Sequence, residues 1–227
     1  MFRINSSLLL FMLCGRAMTG QASVPSIQAN GSATLTAKPD QAQLNVGVVT
    51  NGATAQDAAQ QNASLSNTVQ AALGKVLGQA GTMQTVSYYI SPRYSSSPNQ
   101  PSVIIGYTAG NTVRVTTTDL SQIGLLIDAA NQAGANSVDG LSFGLQNPEP
   151  LVEQALTQAT KQASAHAAAI AAGLGGKPGA VLSAQEGSSY TPILAGAAGA
   201  GAPMTTPVQT GTVTVYATVT IQVALTQ

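Results

Sequence analysis

The chain has 227 residues; 44% are hydrophobic, only 7% are charged, and eight Lys/Arg balance eight Asp/Glu. An ordinary soluble domain carries about 25% charged residues. So flat a charge excludes a protein that grips nucleic-acid phosphates, which needs a basic stripe to displace counterions. It also excludes the common disordered class, which combines low hydrophobicity with high net charge. The length suits one large domain or two small ones and is ample for a sizeable core.

At the N-terminus, Arg3 precedes the apolar run Leu8-Leu9-Leu10-Phe11-Met12-Leu13, and small residues follow at Gly15, Ala17, Gly20 and Ala22. A positive start, a short apolar centre and a small-residue exit predict a secretory signal peptide over 1–22, with the mature chain starting at Ser23. The run is far short of the ~20 apolar residues of a membrane-spanning helix. Cys14 is the only cysteine. It follows Leu13 where a lipobox would place Gly, Ala or Ser, so it reads as part of the leader rather than a lipid anchor. The mature chain, 23–227, is then a single thiol-free domain with no disulfide, thiolate metal site or cysteine nucleophile.

Residues Ile27–Ala37 alternate apolar or small with polar, the period-2 signature of a half-buried strand. After the turn signal Pro39-Asp40, Leu44, Val46 and Val48 alternate again, and the two segments read as an antiparallel pair. The period then lengthens. Thr54 and Asp57 form a capping-box pattern ahead of Ala58, Leu65, Val69, Leu73 and Val76 at helical spacing, with Gly78 or Gly81 as the stop.

Val86, Tyr88 and Ile90 predict a third strand ending at Pro92. A polar loop leads to a fourth strand from Val103 to Val115, long or bulged near Gly110. Thr118 or Asp119 caps a second helix with Leu120, Ile123, Ile127 and Ala130 on one face, and Gly134 ends it. Leu141, Phe143 and Leu145 mark a fifth strand.

Asn147-Pro148-Glu149-Pro150 opens a third helix, because proline's missing amide has no partner in a first turn anyway. Between Ala155 and Ala172, nine of eighteen residues are alanine. Such a helix forms readily but buries little area, so it needs tertiary contact and can approach a neighbouring backbone closely. Val181 to Gln185 predicts a short strand, and 191–207, rich in Ala, Gly and Pro, a flexible loop. The last strand alternates Val213, Val215, Ala217, Val219, Ile221, Val223 and Leu225 with mostly Thr and Gln. At strand rise it spans roughly 40 Å, and so long an uncharged strand belongs in a sheet centre or against another subunit. The expected fold is α+β: a largely antiparallel sheet with three main helices in the order β-β-α-β-β-α-β-α-β-β.

Several local patterns occur in a characteristic order: Gly31-Ser32-Ala33 leading to Lys38-Pro39-Asp40-Gln41-Ala42, Ser91-Pro92-Arg93-Tyr94 followed by Ile105–Asn111, Gly134–Phe143, and the helix with Ala163, Ala167 and Ala168. Together they resemble the SIMPL-domain family, of the bacterial oxidative-stress defence type, over about 26–225. The resemblance implies an exported α+β protein that forms ring-like or channel-like homo-oligomers and is associated with tolerance to oxidants. It implies no established catalytic residues, so none is carried over.

The residues themselves present no catalytic set. His166 is the only histidine, with neither cysteine nor a second histidine near it and Glu153 on a different turn, so it reads as a helix-surface residue. No Gly-x-Ser-x-Gly elbow occurs, and Gly175-Gly176-Lys177-Pro178 lacks the spacing and the Ser/Thr of a phosphate loop. Asp119, Asp128, Asp139, Glu149 and Glu153 are scattered without calcium-loop or paired-carboxylate spacing. Asn30-Gly31-Ser32 and Asn62-Ala63-Ser64 match a glycosylation triplet too short to be informative. Tyr88, Tyr89, Tyr94 and Tyr107 cluster around two strands beside Arg93; they read as strand packing, with Tyr94 the best candidate for a partner contact.

The expectation is therefore a non-enzymatic, exported oligomer without cofactor, metal or nucleic-acid partner. A small-ligand-binding protein, or an enzyme with a shallow polar site and His166 as base, is the alternative. A membrane barrel is disfavoured by three helical patterns and by the missing terminal aromatic after Leu225. So few titrating groups also predict little change between neutral and mildly acidic pH.

Overall fold

A computed structural model describes residues 24–95, 101–191, 193–194 and 208–227. The expected leader with Cys14 lies outside the described residues, as does most of the expected loop at 191–207. The elements are β1 (Ser26–Ala37), β2 (Gln41–Gly52), α1 (Ala55–Leu77), β3 (Gly81–Tyr94), β4 (Ile104–Thr117), a 3-10 turn (Leu120–Gln122) running into α2 (Ile123–Gln132), β5 (Ser137–Gly144), α3 (Glu149–Gly173), β6 (Lys177–Thr191), β7 (Ile193–Leu194) and β8 (Val213–Thr226). The order is the expected one, with the two-residue β7 added inside the stretch read as a loop.

The strands form two antiparallel sheets, ordered β1-β8-β6 and β3-β4-β2-β5-β7. This corrects the reading of β1 and β2 as a pair. β1 pairs with β8 from Ser26↔Ala224 to Ala37↔Val213, whereas β2 sits between β4 and β5. The Pro39-Asp40 turn carries the chain from one sheet to the other. Pro39 is buried, the Asp40 amide donates to the Gly144 carbonyl at 3.0 Å, and the Asp40 carboxylate accepts from the Gln146 amide at 2.7 Å. A proline–aspartate turn therefore marks a bend without specifying that its flanking strands pair.

Helices cover one face of each sheet, and among the described residues no element packs over the other face. On the three-stranded sheet, α3 presents Ala155, Ala159, Ala163, Ala167 and Ala171, all fully or nearly fully buried, against Ile27, Ala29, Val215, Val219 and Ile221. Small side chains bring the helix close, and Gly31 supplies the matching gap in β1: a Cβ there would strike the Ala159 carbonyl. On the five-stranded sheet, α1 and α2 bury Val69, Leu73, Leu77 and Leu126 against Leu44, Val46, Val48 and Val115. Thr54 caps α1 as expected, its hydroxyl accepting from the Asp57 amide at 3.1 Å.

Two strands are longer than their patterns suggested. β3 runs from Gly81 through Pro92 to Tyr94, and β6 covers fifteen residues rather than Val181–Gln185. Both are edge strands exposed along almost their whole length, so no core imposes an alternating pattern on them. The irregularities in the β3–β4 pair fall at Thr85/Ser87 and Arg93/Tyr94, not at Gly110.

Candidate functional site

His166 lies on the exposed side of α3, and its Nδ1 is 2.8 Å from the Asn30 carbonyl of β1. One turn earlier, the Gln162 Oε1 accepts from the Ser32 amide at 2.6 Å. Asn30 and Ser32 are two apart, so these groups belong to one side of the strand. Two side chains of α3 thus occupy backbone groups of β1 that its partner β8 leaves open, the covering that keeps an edge strand from pairing with other chains. His166 has a structural task here.

The other singled-out residues also resolve into local structure. Asp119 caps the 3-10 turn, accepting from the Ser121 amide (3.0 Å), the Ser121 hydroxyl (2.5 Å) and the Gln122 amide (2.7 Å). The Ser121 hydroxyl, reinforced by these amides, holds the Asp119 pKa below the ordinary carboxylate value of 3.8, although partial desolvation opposes the shift. Asp139 accepts from Asn45 and Ser137, and Asn45 in turn accepts from Arg114. Gly175, with φ 76°, turns the chain after α3, and Lys177 already belongs to β6. Among the described residues no group of three His, Cys, Asp or Glu side chains could hold a metal.

The triplet Asn62-Ala63-Ser64 hides a residue that the sequence reading missed. Asn62 is fully buried in α1; its Nδ2 donates to the carbonyls of Val48 (2.8 Å) and Ala109 (3.0 Å), and its Oδ1 accepts from Ser66. It pins the helix across β2 and β4. The available signal was its place on the apolar face, between Ala58 and Val69 at helical spacing.

The tyrosines correct an expectation. Tyr88, Tyr89 and Tyr94 are exposed (57%, 46% and 56%) rather than packed, while Tyr107 is half-buried. The reason is position: β3 is the outer strand, and α1 lies mainly over β2 and β4. Tyr89 rests its ring on Gly110, where a Cβ would collide with it, and so shields one stretch of sheet backbone.

The contrast between edges is the main feature of the surface. On β1, side chains of α3 occupy the Asn30 carbonyl and the Ser32 amide. β3 offers fourteen residues, with Arg93 its only charge, and bears Val86, Tyr88 and Ile90. β6 offers fifteen, with Lys177 and Glu186 its only charges, and bears Val181 (63% exposed) and Leu182. Beyond Gly52 the β3–β4 pair continues as a two-stranded arm carrying Tyr94, Ile104 and Ile105 in solvent. Among the described residues no helix is long and apolar enough to cross a membrane.

Comparison with known proteins fits this α+β chain to a family described as SIMPL, a protein of unknown function (DUF541), over residues 27–223. The chain belongs to the SIMPL family. Two relatives show the degree of divergence. This chain is 28% identical to an uncharacterized protein YggE of Edwardsiella ictaluri over 134 residues, 58% of this chain and 55% of that protein. It is 27% identical to a 26 kDa periplasmic immunogenic protein of Brucella melitensis over 134 residues, 57% of this chain and 53% of that protein. A Brucella abortus protein of the same name matches equally, at 27%. The match spans about half the length of these curated relatives.

Proposed function

We propose that this SIMPL chain is an exported envelope protein that acts by assembling with copies of itself, through open strand edges, and contributes to oxidant tolerance without catalysis. The observation that carries the reading is the pair of long, nearly uncharged strands at β3 and β6 that end the sheets among the described residues, beside a β1 edge whose Asn30 and Ser32 backbone groups α3 occupies. Edges of this kind recruit other strands unless charge, bulges or cover prevent it; the bulges here fall near the strand ends or beside Val86 and Val181, which leaves β3 regular from Ser87 to Arg93 and β6 regular from Ser183 to Thr191. Different edges on different sheets favour head-to-tail contacts, which close into rings when the rotation allows. The leader pattern over 1–22 and a relative named as periplasmic support export of the 23–227 domain to the periplasm.

The test is complementation of a deletion strain challenged with peroxide. Wild type and His166→Ala restore survival, and the double edge variant Ile90→Lys with Val181→Lys does not. Full rescue by the edge variant, or loss of rescue with His166→Ala in a folded protein, contradicts the reading.

A further inference from the structure

The two sheets meet at a cleft of about 130 Å³ lined by Gln41, Gln43, Ser142 and Tyr190 over the backbone of Phe143–Leu145. We propose that this cleft binds one ring of a neutral glycan, whose chain continues along the open face of the five-stranded sheet.

The hydrogen-bonding capacity of the cleft is largely unspent. The side chains of Gln41, Gln43 and Ser142 make no hydrogen bond among the described residues. The Tyr190 oxygen accepts from the Leu145 amide at 2.6 Å, which leaves its own proton to donate. Amide and hydroxyl groups converging beside an aromatic ring match a sugar, which has a rim of hydroxyls and an apolar face of C–H groups.

Charge complementarity selects the ligand class. Among the described residues no lining side chain is charged, so these residues offer no counter-charge to a phosphate, a carboxylate or a basic peptide. The face beyond it is equally neutral. Gln43 leads to Asn45, whose side chain joins Arg114 to Asp139 so that the two charges offset. Thr112 and Thr116 of β4 oppose Gly47 and Gln43, and the exposed ring of Tyr89 lies farther along. A volume well below the roughly 300–1,000 Å³ of sites for drug-sized ligands limits the recess to a single ring.

Isothermal titration calorimetry of the intact mature protein tests this, with two neutral probes, the N-acetylglucosamine tetramer and cellotetraose, and one anionic probe, a heparin tetrasaccharide. The expected result is saturable binding of at least one neutral probe. Gln41→Ala with Gln43→Ala weakens it about tenfold or more, the loss expected for two hydrogen bonds. Gln60→Ala, on the exposed side of α1, leaves it unchanged. Preference for the N-acetylated probe assigns the acetamide as partner of the glutamines; equal binding assigns the hydroxyls. No binding of either neutral probe at millimolar concentration, tighter binding of heparin, or a double variant that binds like wild type overturns the proposal. Because the site lies within one chain, assembly measured by light scattering on the same samples reports separately on the proposed function.

Discussion

Gly31 of β1 lies so close to Ala159 of α3 that one added carbon would collide with the Ala159 carbonyl and the Ala163 amide. The contact explains the composition of α3. A helix striped with alanine buries too little side-chain area to hold by bulk, so it holds by closeness, with many atoms at van der Waals distance. Larger residues on either side would push the layers apart.

Gly31→Val is therefore expected to destabilise the fold by about 1–3 kcal/mol or more, and Ala163→Leu by a similar amount, through overpacking against backbone that cannot move aside. Urea unfolding measures this, and an unchanged midpoint for Gly31→Val would contradict the packing described here.

Asn62→Leu keeps the volume of a buried side chain but strips donors from two carbonyls. The expected cost is about 1–3 kcal/mol, because a buried acceptor deprived of its partner keeps its full desolvation penalty. Asn62→Asp should be worse, since a carboxylate brings negative charge to the carbonyls of Val48 and Ala109. Thermal melts of the two variants rank them; equal stability with wild type would remove the pinning role.

The pH dependence follows from Asp119. Its folded pKa is depressed, so the stability it contributes is complete above the unfolded value of 3.8 and is lost as pH falls through the lower folded value. The melting temperature is expected to hold from neutral to mildly acidic pH and to decline only below about pH 4. Asp119→Asn should lower the neutral-pH melting temperature and flatten that decline. A steep loss between pH 7 and pH 5 would contradict this account.

His166→Ala is expected to cost only about 0.5–1 kcal/mol, since it removes one exposed hydrogen bond to the Asn30 carbonyl. Combined with Gln162→Ala it uncovers the β1 edge. The double variant should aggregate more readily than wild type on mild heating, as turbidity would show. Equal turbidity would count against the covering role.

The sequence made some of this fold readable and concealed the rest for identifiable reasons. β8 was plain because it is central, with Val213 to Val223 buried on one face and Thr, Gln and the exposed Tyr216 on the other. α3 and the Thr54 cap were plain because proline, alanine and hydroxyl chemistry act locally. The extents of β3 and β6 were hidden because strands exposed on both faces carry no period for a core to impose. The separation of β1 from β2 was hidden because partner choice depends on β8, nearly two hundred residues away in sequence. The cleft is hidden for the same reason: Gln41, Gln43, Ser142 and Tyr190 form no motif until two sheets bring them together. The covering of β1 by His166 was equally a product of tertiary contact.

The central proposal is that the chain works through strand edges left unpaired among the described residues, and sedimentation velocity of the 23–227 segment at micromolar concentration tests it most directly. The account predicts one dominant species several times the mass of a single chain, reduced to single chains by Ile90→Lys with Val181→Lys. A wild-type protein that sediments only as single chains would contradict it.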